Sequence, residues 1–149
     1  MKVFLYSIIL IILIIIIYIF NHQNNTKYNT KRQLITELVP LECDLNKSDC
    51  YFDFDDKKVL VSFVSKPLIA MDENTLKIKN LGDFKKLNAK IYGLNMYMGD
   101  IVPTFIKNDD NYEAKIRLSS CATKTMRYRI EFFDDNKAID FYFDFDLIQ

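Results

Sequence analysis

The 149-residue chain holds one histidine, three glycines and three prolines, and each scarcity removes a class of function. His22 lies outside the stretch that reads as folded, so no Ser-His or Cys-His nucleophile can be assembled there and no histidine is available to a zinc site. The chain has no C-x-x-C redox motif and no glycine-rich phosphate loop. Paired carboxylates such as Asp55 and Asp56, or Asp134 and Asp135, sit in polar stretches that read as turns. Together these absences argue against an enzyme. Acidic and basic residues balance at 20 each and form no Lys/Arg stripe, which removes nucleic acid as a partner. With so little glycine and proline, aspartate and asparagine must form most of the turns.

Charge is missing altogether from residues 3–20, "VFLYSIILIILIIIIYIF". At 1.5 Å per residue this stretch makes a helix about 27 Å long, close to the hydrocarbon thickness of a bilayer. Its isoleucines disfavour a helix in water, but in lipid every backbone group must be satisfied within the segment. Tyr6 and Tyr18 sit near its ends, where amphipathic rings prefer the interface. The run passes directly into "NHQNN" with no small-residue cleavage site, so it reads as an uncleaved anchor over residues 1–20. Lys2 on one side and Lys27, Lys31 and Arg32 on the other leave its orientation undecided by charge. Residues 21–37 are polar and aperiodic and read as a flexible tether. About 16 residues of such chain span roughly 20 to 24 Å root-mean-square.

From residue 38 to 149 the signal has period two. "YFDFDD" sets Phe52 and Phe54 against aspartates, and "KVLVSFVS" is a β-branched run. "TLKIKNLG", "AKIYGLNMYM", "NYEAKIRLSS", "MRYRIEFF" and "AIDFYFDFDLI" continue the series. About seven short strands with turns such as "KNDDN" and "FDDNK" between them predict an all-β domain, an antiparallel β-sandwich of immunoglobulin-like type. In the last strand Ile139, Phe141, Phe143, Phe145 and Leu147 share one face, and Asp140, Tyr142, Asp144 and Asp146 share the other, which reads as solvated.

Three cysteines and four internal methionines remain. Cys43 and Cys50 enclose six polar, turn-forming residues, and in an oxidising compartment they make a disulfide; in a cytosolic domain they are two free thiols. In "KIYGLNMYMG" a continuing strand puts Met96 and Met98 on one face. Met126 shares a face with Tyr128, Ile130 and Phe132, and Cys121 stands just before it. Met71 follows "SKPLIA", where Pro67 ends a strand. Thioether and thiolate ligands select Cu(I), and two methionines on one strand with a Cys or Met from a neighbouring hairpin give three-coordinate ligation. The alternative is packing: methionine fills irregular gaps and Cys121 is a small buried hydrophobe.

The order "LECDLNKSDC", "SKPLIAM", "IYGLNMYMGD" and "YEAKIRLSSCATKTMRYRI", over roughly residues 40 to 132, resembles small periplasmic domains of the FixH/YtkA-like kind. The resemblance implies a single-pass protein of the inner membrane, anchored through residues 3–20, with its C-terminal domain in the periplasm. It implies a partner among copper-handling or respiratory proteins of that membrane. It ranks Met96 and Met98 first as ligands, then Cys121 and Met126, with Met71 fifth. Two functions follow as expectations. One is a tethered module that binds Cu(I) for respiratory oxidase assembly; the other is a structural or interaction protein of the cell envelope in which the methionines only pack.

Overall fold

The computed structural model describes Tyr6, residues 11–16, residues 34–119 and residues 121–148. Residues 11–16 are helical and their side chains exposed. Among the described residues no helix is long and apolar enough to cross a membrane. The expected span over 3–20 and tether over 21–37 fall mostly outside the described residues.

The chain divides into two units, Met1–Arg32 and Gln33–Gln149. The second starts a few residues before the expected boundary at residue 38. Ile35 N already donates to Leu94 O at 2.9 Å.

This second unit is an all-β sandwich of two antiparallel sheets. Among the described residues it has eight strands, β1 (Cys50–Phe54), β2 (Lys57–Phe63), β3 (Glu73–Lys79), β4 (Leu87–Gly93), β5 (Phe105–Asn108), β6 (Asn111–Arg117), β7 (Thr125–Asp134) and β8 (Lys137–Ile148). One sheet has the order β1-β2-β3-β6-β5 and the other β4-β7-β8. The strand beyond the expected seven is β5, whose four residues carry one inward side chain, Phe105, too few for a period to show.

Aspartate makes the tight reversals. Asp55 and Asp56 both have positive φ (50° and 59°) between β1 and β2, the backbone that a two-residue hairpin turn requires. Asp109 and Asp135 take the same left-handed conformation in the turns before β6 and β8.

The core is the interdigitated inner faces of the two sheets. From β8, Phe141, Phe143, Phe145 and Leu147 are buried, as their alternation demands. Phe143 stacks on Phe52 with ring centroids 5.0 Å apart, and Phe145 meets Phe63 at 5.5 Å, so aromatic pairs join one sheet to the other.

Cys43 and Cys50 form a disulfide, with Cα atoms 5.9 Å apart. Asn46, buried inside that loop, donates to Asp146 O at 2.8 Å and accepts from Leu68 N at 3.0 Å, tying the loop to β8 and to the β2–β3 connection. A Cys43→Ser/Cys50→Ser variant is expected to lose about 2 to 3 kcal/mol, the loop-closure contribution of so short a ring, as read from urea unfolding of both chains. A chain that loses nothing would mean that Asn46 alone holds the loop.

Candidate functional site

The connections β2–β3, β4–β5 and β6–β7 leave the sandwich at the same end, and every sulfur singled out in the sequence lies there. Gly93 is the last residue of β4. Leu94 N donates to Arg127 O at 2.7 Å, and the chain then bends. Asn95 clamps the bend, its amide donating to Thr125 O at 2.8 Å and its carbonyl accepting from Arg127 N at 2.9 Å. Such side-chain bonds to the main chain offer the backbone an alternative to a sheet ladder.

The strand expected to run through Met98 therefore stops at Gly93, and Met96 and Met98 do not share a strand face. Instead the chain folds back over Gly93. A Cβ on that glycine would stand 2.1 Å from Met96 O and 3.2 Å from the Met126 methyl, so only glycine fits beneath the bend. The fold-back turns Met96 toward the core, half-buried, and leaves Met98 43% exposed.

Cys121 comes from the β6–β7 connection, which two bonds hold in place. Tyr128, near the start of β7, donates its hydroxyl to Ser119 O at 2.8 Å, and Met71 N donates to Leu118 O at 2.8 Å. So held, Cys121 is a free, half-buried thiol whose Sγ lies against Met96 Sδ. Burial pushes the Tyr128 hydroxyl above its ordinary pKa.

The five sulfur positions thus separate into three groups. Met96 and Cys121 meet. Met126 is fully buried, its methyl against Gly93 just beneath them. Met98 and Met71 are exposed, Met71 by 65% at a φ of 62°. Among the described residues no group of three or more His, Cys, Asp or Glu side chains is arranged to hold a metal ion, so the donors offered here are soft sulfur.

The sequence reading missed a second polar arrangement, on the outer face of β7 and β8. Of the aspartates expected to be solvated, Asp140 is exposed, whereas Asp144 and Asp146 pair with arginines across the ladder. Arg127 makes a two-pronged bond to Asp146 (2.8 and 2.9 Å), and Arg129 does the same with Asp144 (2.7 and 2.9 Å). The Arg129 guanidinium also lies 4.6 Å from the centre of the Tyr142 ring. Both guanidinium groups are held more firmly protonated than usual, chiefly by the hydrogen bonds they donate to their aspartates. The alternation "MRYRI" over "FDFDL" was the available signal: opposite charges at every second position of two strands joined by a short turn.

Compared with known proteins, the chain matches no protein-family model and no curated protein.

Proposed function

We propose that this protein is a membrane-tethered binding module on the periplasmic side of the inner membrane, and that it holds Cu(I) through Met96 and Cys121 for a copper-handling or respiratory partner. The observation that carries the reading is the proximity of a free thiol to a thioether from a different loop. When bound, Cu(I) would supply a transferable soft cation, and the protein would supply sulfur ligands at a half-buried end of the sandwich. Met98, two residues beyond Met96 and exposed, is the next sulfur along the chain for a third ligand.

We infer further that the sandwich is of immunoglobulin-like type. The order β2-β3-β6-β5 against β4-β7-β8 matches the ABED and CFG sheets of immunoglobulin-like domains, with β1 added at an edge. The Tyr128 hydroxyl reaching back to Ser119 O matches the tyrosine corner of such domains. The Cys43–Cys50 disulfide suits an oxidising compartment, and residues 3–20 suit an anchor, both as the FixH/YtkA-like resemblance implies.

Titrating the purified full chain with Cu(I) against a competing chelator tests the reading. Met96→Leu and Cys121→Ser are each expected to weaken binding about tenfold or more, while Met71→Leu leaves it unchanged. Equal affinity in all four chains would reject it. The full burial of Met126 and the exposure of Met71 favour the second reading, an envelope interaction protein in which methionines pack, and equal affinities would leave that one standing.

A further inference from the structure

The β4–β5 connection changes sheets, and in doing so leaves one strand edge uncovered. Ile101 exchanges two 2.8 Å hydrogen bonds with Ile91 of β4, and Thr104 bridges Asn88 of the same strand. Only at Phe105 does the chain join the other sheet as β5, pairing with β6 from Ala114 back to Asn111. The Phe105–Ala114 pair directs the Lys115 N–H at Thr104 O; beyond it the Lys115 C=O and the main chain of Arg117 have, among the described residues, no strand beside them.

The ladder phase shows which groups are left over. Thr75 O accepts from Val64 N, so Thr75 turns its main chain away from β6. In an antiparallel ladder the N–H and C=O of one residue point the same way and alternate along the strand. Lys115, opposite Thr75, and Arg117, opposite Glu73, therefore direct their N–H and C=O outward, in line with β5. Beside them runs a groove of about 490 Å³, walled by Ile101, Val102, Pro103 and Ile106, with Val102 and Ile106 each 64% exposed. Of the acids near it, Glu113 is engaged by Lys77 at 3.0 Å and Glu73 by Lys115 at 2.8 Å, and the rim carries the further positive charge of Arg117.

We propose that this edge takes an extended peptide strand, added to β6 in line with β5, whose apolar side chains enter the groove and whose alternate side chains are acidic. Free main-chain donors and acceptors select an extended backbone, and pockets for every second side chain select the sequence. Lys115 and Arg117 discourage uncharged strands from pairing there and attract acidic ones. This site is separate from the sulfur pair and does not depend on copper.

Residue-resolved amide exchange on the full chain in detergent micelles tests it. In the free protein, the Arg117 amide is expected to exchange about a hundredfold or more faster than those of Ala114 and Ile116, which face β3. A capped hexapeptide alternating glutamate and valine is expected to slow Arg117 about tenfold or more, and one alternating lysine and valine is not. A Lys115→Glu/Arg117→Glu chain, altered only at exposed side chains, is expected to reverse that preference. Lack of protection by either peptide, or equal protection by both, would overturn the proposal. Protection in the free chain that grows with protein concentration would also overturn it, since a second copy would then cover the edge.

Discussion

Arg127→Met is expected to destabilise the sandwich by about 3 kcal/mol, the low end of the cost of breaking a buried ion pair by removing one partner. The Arg127 side chain is 6% exposed and that of Asp146 22%, so solvent reaches the carboxylate and softens the loss. Two further groups lose a donor. Arg127 Nη1 bonds Val39 O at 2.5 Å, which ties the entering segment to β7, and both Asp146 oxygens lose the guanidinium. The Asp146→Leu change made alone is expected to cost a similar amount, because it strands a buried guanidinium. Made together, the two changes are expected to recover most of the loss, since a matched apolar pair removes both charges at once. Urea unfolding of the four chains reads the coupling. Additive losses, with no recovery in the double variant, would mean that the pair is no more than a surface contact.

That pair shows where the sequence stopped being legible. The alternation in "AIDFYFDFDLI" was enough to send every second side chain inward, because a strand with one buried face has no other register available. Outward placement of Asp144 and Asp146 followed from the same period. Their pairing did not, since it depends on which β7 residue stands across from each. The ladder sets Arg127 opposite Asp146 and Arg129 opposite Asp144. Two strands read one at a time give faces, and only their pairing gives partners. Asp144 and Asp146, expected to face water, instead add two ion pairs to the main-chain ladder between β7 and β8.

At β5 and at the end of β4 the period itself was the weak point. The single inward residue of β5, Phe105, gives no repeat to detect, so the strand was invisible until its neighbour was in place. In "KIYGLNMYM" the alternation was present but physically overruled. Gly93 removes the side chain that would have kept the strand on its path, and Asn95 supplies two hydrogen bonds that hold a bend. The residue types of the candidate site were legible, because soft sulfur is scarce and chemically distinct. The Cys43–Cys50 disulfide was legible as one of two alternatives, its cysteines lying on a single short loop. The contact between Met96 and Cys121 spans 25 residues and two loops, and no local pattern encodes it.

Gly93→Val carries the largest expected effect on the site, although it alters no sulfur. The new Cβ would stand 2.1 Å from Met96 O, a distance that no relaxation of a side chain relieves. Either β4 or the bend must move. Gly93 stands opposite Tyr128 in the ladder, and the neighbouring Leu94 N is bonded to Arg127 O, so β4 is held in place from β7. The bend is held by Asn95, and among the described residues Met96 itself makes no main-chain bond there, so the loop is what yields. Met96 Sδ then leaves Cys121 Sγ. A stability loss of about 1 to 3 kcal/mol is expected from the crowding, measured by urea unfolding. Cu(I) affinity is expected to fall about tenfold or more, equivalent to about 1.4 kcal/mol, as it does when Met96 is replaced directly. Combining Gly93→Val with Met96→Leu should then add little further loss in affinity, because both changes remove the same ligand. If Gly93→Val binds Cu(I) as tightly as the unaltered chain while its stability falls, the fold-back over Gly93 serves packing alone, and the thiol–thioether contact is incidental to it.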